Sequence, residues 1–221
     1  MSRASRSPLV IVVTGPDGSG KSTLCARLRE ELGSAASPNK VAQVSVWDAM
    51  AASGLFADRR AVGAYLDDLD GPPRTLFIFH ALSRSIDLAL RGGAEVLVVE
   101  GYWYKYAVTE IAYGVEERFV EAAASAFPRP ALTIRLDVGV EESWDRKGEA
   151  TAYERGAAGR KSPPAPDARS DYIGFQRGLR PIWDSVERRC GPWERIPAGT
   201  APAEALSLAL GLCRRALGEA K

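Results

Sequence analysis

Hydrophobic positions recur along the chain in two rhythms, and their alternation predicts an α/β fold. Leu9 to Val13 is a short continuous apolar run, the pattern of a strand buried on both faces of a parallel sheet. Leu24, Leu28 and Leu32 then recur at helical spacing, with Gly33 as the stop signal. Val41 to Trp47 alternates as a second strand and places Asp48 at its carboxyl end, the end where open α/β sheets bind ligands. Ala49 to Leu69 is a helical mixture of small, acidic and apolar residues, which Gly71, Pro72 and Pro73 break. The next helix runs from Thr75 to Arg91 with Leu76, Phe79, Leu82, Ile86 and Leu90 on one apolar face.

Glu95 to Val99 is the clearest central strand, closing on Glu100 and Gly101. The aromatic stretch Tyr102, Trp103, Tyr104 and Tyr106, with Lys105 among them, leads into a helix through Ala112. A further helix spans Val115 to Phe127, and Ala131 to Leu136 forms a fourth strand ending at Asp137. Glu141 to Lys147 begins another helix, after which Gly148 to Pro166 loses periodicity and reads as a mobile surface segment. Asp171 to Arg189 is helical, with Pro181 as a kink or restart. Trp193 to Ile196 is the last strand and Ala203 to Leu217 a closing amphipathic helix. The expected architecture has three layers, a central parallel sheet of about five strands flanked by helices.

Composition narrows the partners. With 221 residues and 46% hydrophobic content, the chain suits one sizeable domain, of which residues 1 to 7 read as a flexible tail. Lys+Arg of 29 against Asp+Glu of 28 leaves +1, which gives no footprint for nucleic acid. No apolar run approaches the length of a membrane span. Cys25, Cys190 and Cys213 lack metal-ligand spacing and read as reduced thiols in a cytoplasmic protein.

The stretch between the first strand and the first helix is GPDGSGKST, Gly15 to Thr23. It matches a phosphate-binding loop in full, with Gly15, Gly20, Lys21 and Ser22 at the required places. Backbone N–H groups of Gly18, Ser19 and Gly20 can wrap a polyphosphate where glycines remove obstructing Cβ atoms, and the helix start presents its positive dipole end. Lys21 should reach the outer phosphates of ATP, and the Ser22 hydroxyl should take one position on Mg²⁺. Glu100, delivered to the same edge by Val96 to Val99, reads as a metal-shell carboxylate or as the base for an acceptor hydroxyl. Asp17 is either a contact for the acceptor or a turn residue of the loop. Arg146, Lys147, Arg155, Arg160 and Lys161 have the composition of a lid over the migrating phosphoryl group, which spans about residues 146 to 166. His80, the only histidine, carries no assignment by itself. Asn39 and Lys40 are followed by Val41 and Ala42, so the acid of a guanine-reading motif is absent.

These residues resemble the thymidylate kinase family of P-loop nucleoside monophosphate kinases, and the resemblance covers most of the chain. GPDGSGKST is similar to that family's loop, and the resemblance makes Asp17 a contact to the acceptor sugar. RTLFIFHALSR, Arg74 to Arg84, resembles the helix whose arginine reads the base, which puts Arg84 in that role and His80 where the family stacks a phenylalanine. VLVVEGYWYKYAVTEIAYG resembles the strand and loop that carry an Asp-Arg-Tyr motif, which brings Tyr102 and Trp103 toward the acceptor. LTIRLDVGVEESWDRK resembles the approach to the lid, and PAGTAP, beginning at Pro197, the loop that packs on adenine. Glu100 and Gly101 stand where the family has Asp and Arg, and Trp47 and Asp48 offer no arginine at the acceptor-phosphate position. The resemblance implies an ATP- and Mg²⁺-dependent transfer to a nucleoside monophosphate such as dTMP, by a single kinase domain that forms a homodimer. Missing arginines leave a neutral hydroxyl acceptor, with Glu100 as base, as the alternative. A non-catalytic nucleotide-binding switch is the third reading.

Overall fold

The computed structural model describes residues 8–35, 40–158 and 167–218. Its centre is β1 (Leu9–Thr14), flanked in parallel by β3 (Val96–Glu100) and β4 (Leu132–Leu136), with β2 (Val41–Val44) and β5 (Glu194–Ile196) outside them. The order is β2-β3-β1-β4-β5, every pairing parallel. Because side chains alternate along a strand, Val10 and Val12 enter one core and Ile11 and Val13 the other. That two-sided burial is why β1 reads as an unbroken apolar run. Each fully buried aliphatic side chain here is worth about 1.5–3 kcal/mol.

Against the Ile11 face lie α1 (Lys21–Ala35) and α9 (Pro202–Ala216), contributing Leu24, Leu28, Ala209 and Cys213. Over the Val10 face lie α2 (Val46–Ser53), α3 (Arg59–Asp68), α4 (Gly71–Arg91), α5 (Tyr102–Ala112), α6 (Glu117–Ala124) and α8 (Ala168–Cys190). The short α7 (Val140–Lys147) follows β4 and packs on α8.

Several boundaries differ from the sequence-based expectation. The second strand stops at Val44, and Ser45 caps α2 with Asp48 as its reciprocal partner, so Asp48 is a helix-start residue and not a strand end. The single helical mixture from Ala49 to Leu69 is two helices, separated after Gly54 in the left-handed region. Gly71, Pro72 and Pro73 start α4 behind the cap Asp70, since proline suits a first helical turn. Leu76, expected on the apolar face of α4, is 50% exposed, while Arg74 and Thr75 are buried. Gly33 does not stop α1, which runs two residues further. Part of the expected surface segment is packed: Tyr153–Arg155 forms a 3₁₀ turn, and Gly156 and Ala158 are buried. Among the described residues no helix is long and apolar enough to cross a membrane.

Candidate active site

The loop between β1 and α1 sits at the carboxyl edge of the sheet. Gly15 has φ +135°, and a Cβ there would stand 2.3 Å from the Leu136 carbonyl oxygen of β4, so only glycine fits. The Asp17 carbonyl oxygen accepts from Ser143 Oγ of α7 at 2.5 Å, and the Tyr172 hydroxyl of α8 lies 2.5 Å from that Oγ. Two helices therefore hold the loop backbone from behind. Lys21, buried at the start of α1, turns back to donate to the Pro16 carbonyl at 2.5 Å. Burial and the neighbouring Lys105 depress its ammonium to about 8, against the pull of Asp17 and Glu100.

Glu100 is the last residue of β3, in register with Val13. Ser22 Oγ donates to its Oε1 at 2.6 Å. The pair joins loop and strand end into one oxygen-rich corner. On the other side of the loop, Lys105 Nζ stands 2.5 Å from the Asp17 carboxylate. Burial pushes the Asp17 carboxyl up, but Lys105 and Lys21 pull it further down, to about 2. Burial likewise works against the Lys105 charge, and Asp17 outweighs it, holding that ammonium above the ordinary lysine range.

Two recesses flank this loop, one lined by Lys21 and the other by Ser19, Gly20 and Thr23. The first, of about 170 Å³, is walled by Trp47, Met50, Val62, Leu66, Phe77 and Ile78 and closed toward the loop by Lys21, Glu100 and Lys105. Tyr106 and Tyr153 complete its wall. The second, a more open cleft of about 640 Å³, runs from Ser19, Gly20 and Thr23 past Arg27 and Arg146 to Pro197 and Thr200. A ligand spanning both would cross Gly20, Lys21 and the Ser22–Glu100 pair. Among the described residues no group of three or more His, Cys, Asp or Glu could hold a metal by itself, so any hard cation here needs oxygens from a ligand as well.

No protein-family model matches the chain. Over 140 residues, 62% of this chain and 69% of the relative, it is 27% identical to the probable thymidylate kinase 1 of Saccharolobus solfataricus. Its fold superposes on the thymidylate kinase of Ehrlichia chaffeensis with a TM-score of 0.59, covering 95% of this chain and 99% of that one at 14% identity. For the thymidylate kinase of Candida albicans the TM-score is 0.58, over 96% and 94% at 15% identity. The chain is thus similar to thymidylate kinases in sequence over 140 residues and in fold over nearly its whole length.

The residues singled out in the sequence fall in two groups, those gathered around the loop and those dispersed from it. Gly15, Asp17, Gly18, Ser19, Gly20, Lys21, Ser22 and Thr23 form one loop, with Glu100 beside it and Pro197 across the cleft from Thr23. Trp47 lines the smaller cavity. Asp48 does not; it is exposed and bonded to the Ser45 backbone and hydroxyl. His80 and Arg84 are both exposed, and Arg84 pairs with Asp87 at 2.6 Å along its own helix. The face of α4 that meets the cavity carries Phe77 and Ile78 instead.

Tyr102 is fully buried with its hydroxyl on the Pro128 carbonyl, and Trp103 packs on Tyr104 with ring centroids 4.5 Å apart. Neither reaches the cavity; the residues of α5 that do are Lys105 and Tyr106. Arg155 lines a separate recess with Asp171, Phe175 and Ile182 of α8, to which no residue of the Gly15–Thr23 loop contributes. Arg160 lies outside the described residues.

Sequence reasoning missed the support behind the cavity. Arg74 and Glu110 are both fully buried and paired at 2.9 Å, and the Tyr153 hydroxyl donates to the same carboxylate at 2.8 Å. Tyr153 thereby ties the segment after α7 to α4 and α5. A helical wheel through Ile78, Phe79 and Leu82 places Arg74 on the inward face, and that was the available signal.

Proposed function

We propose that the protein is an ATP-dependent phosphotransferase of thymidylate kinase type, which moves the γ-phosphate of ATP to a nucleoside monophosphate such as dTMP. The observation that carries this reading is that one loop lines two recesses, Ser19, Gly20 and Thr23 on the open cleft and Lys21 with Glu100 on the smaller cavity, with the Ser22–Glu100 hydrogen bond beside them. ATP takes the open cleft, with its base against Pro197 and its phosphates along Ser19, Gly20 and Thr23. The acceptor takes the smaller cavity, with its ring among Trp47, Phe77 and Ile78.

In this arrangement Lys21 leaves the Pro16 carbonyl and pairs with the outer phosphates, where opposite charge restores the proton that burial loosens. Ser22 Oγ and Glu100 Oε1, already 2.6 Å apart, are hard oxygen donors that fit Mg²⁺ together with phosphate oxygens. When bound, that ion neutralises charge gathering on the transferred group. The apolar walls around the acceptor exclude water, which limits loss of the phosphoryl group to hydrolysis.

Coupled detection of ADP release across the common ribo- and deoxynucleoside monophosphates tests the proposal. Turnover well above the ATPase background with one of them is expected, and background rates with all of them would overturn it. A second reading, transfer to an uncharged hydroxyl compound with Glu100 as base, draws on one observation. The described residues lining the acceptor cavity include no arginine. Turnover with a nucleoside but not with its monophosphate would favour it.

A further inference from the structure

The smaller cavity is offered cations by Lys21 and Lys105 among its described lining residues. Lys21 belongs to the phosphate-binding loop and faces its Pro16 carbonyl. Lys105 is the other, and the backbone around it is arranged to bring it in. Gly101, which follows Glu100, has φ +76°, and a Cβ built on it would meet the Lys105 side chain at Cδ (3.5 Å) and Cβ (3.6 Å). Lys105 N donates to the Gly101 carbonyl at 3.4 Å, so residue 105 sits one helical turn above residue 101 on the same side of α5. The Lys105 stem therefore runs alongside Gly101, within van der Waals reach of where a Cβ would stand.

The head of that side chain is then fixed. Nζ stands 2.5 Å from Asp17 Oδ1, with the lysine side chain 19% exposed and the aspartate 12%. The Asp17 backbone is itself held by Ser143. Lys105 also lies 5.7 Å from the Tyr106 ring centroid. An ammonium delivered between two anchored elements, with part of its surface open to the cavity, is a preorganised cation.

Resting on the kinase reading above, the geometry points to Lys105, on the cavity wall beside Glu100 and Gly101, as the residue that holds the anionic end of the acceptor. Asp17 is its positioning residue, orienting the ammonium and not touching the acceptor. The substrate class follows. The acceptor carries a phosphate monoester at the end nearest Glu100, and its apolar ring lies toward Phe77 and Ile78.

The test compares the four deoxynucleoside monophosphates, each with its parent deoxynucleoside, in the full-length wild type and in Lys105→Met, Lys105→Arg and the double variant Asp17→Asn/Lys105→Met. The double variant removes both charges, so neither is left buried alone if the single one fails to fold. Binding is read by thermal shift without donor, and steady-state kinetics give KM and kcat. In the wild type one monophosphate is expected to bind at least tenfold more tightly than its nucleoside. Lys105→Met and the double variant should raise the KM for that monophosphate at least tenfold, well beyond any rise in the KM for ATP, and bring monophosphate and nucleoside to similar affinity. Lys105→Arg should keep most of the discrimination. An unchanged ratio of monophosphate to nucleoside in the folded variants would overturn the inference, as would an equal rise in the KM for ATP. A wild type that phosphorylates nucleosides in preference to monophosphates would overturn it while leaving phosphate transfer standing. Absence of turnover with every acceptor would remove the kinase reading itself.

Discussion

The proposed donor cleft and the proposed acceptor cavity share one loop but are built on opposite plans. Donor-side groups come from the loop itself and from strand ends, where backbone geometry leaves few alternatives: Gly15 cannot carry a side chain against the Leu136 carbonyl, and Glu100 is placed by the register with Val13. Acceptor-side groups come from the faces of α2, α3, α4 and α5, where a modest rotation of a helix exchanges which side chain enters the site. The comparison teaches that side chains on the loop are placed by backbone geometry, whereas those on a helix face are placed by how the helix packs. Arg84 keeps the spacing of a base-reading arginine and nevertheless pairs with Asp87 in solvent.

The comparison breaks first at Lys21. Replacing it with Met should lower kcat by about 10³-fold, the scale of losing a charged contact to a transferring group, with the acceptor KM little changed. A loss below tenfold in single-turnover measurements would mean that the donor does not lie along this loop. Next comes Glu110→Gln, which leaves Arg74 buried without its counter-charge. Removing one partner of such a pair costs about 3–5 kcal/mol, and equilibrium urea unfolding should record it. The same variant leaves one acceptor oxygen where Arg74, Thr75 and the Tyr153 hydroxyl now share two, so Tyr153 is held less firmly on the cavity wall and the acceptor KM should rise more than that for ATP.

A pH series sharpens the donor side. The Lys21 ammonium is held at about 8 in the folded protein against an ordinary value of 10.5, so over that window the folded state has shed a proton that the unfolded chain still binds. Stability should therefore rise with pH between about 8 and 10.5. Bound phosphates favour the charged lysine, so the KM for ATP should climb over the same window, by up to about tenfold per pH unit. Unfolding midpoints and ATP kinetics across that range check both signs, and a KM that is flat in pH would place Lys21 away from the phosphates. The smallest effect is expected on the outer face of α4. His80→Ala and Arg84→Ala should each leave kcat/KM within about twofold and stability within about 0.5 kcal/mol, as for exposed positions generally; a tenfold loss in either would return the base-reading role to that face.

The legible parts of this molecule are those where local chemistry and global fold agree. Continuous apolar runs announce β1 and β3 because both faces of the sheet are covered, and the loop between β1 and α1 declares itself through its glycines. What stayed hidden depended on orientation. Ser45 to Asp48 has the spacing of a capping box, yet the apolar rhythm of Val44, Val46 and Trp47 continues the strand pattern across it. Pro72 and Pro73 read as breakers because the same residues can end one helix or begin the next. Arg74 and Glu110 are 36 residues apart, and nothing local signals that two opposite charges will meet in the core.

One consequence follows from the Asp17 carbonyl, held by Ser143 with Tyr172 behind it. A trans peptide unit is flat, with its carbonyl oxygen and the next N–H on opposite sides. Anchoring that oxygen toward α7 and α8 therefore turns the Gly18 N–H outward before any ligand arrives. The loop does not have to rotate a peptide plane to receive an anion, so the entropy of ordering it has already been spent in folding.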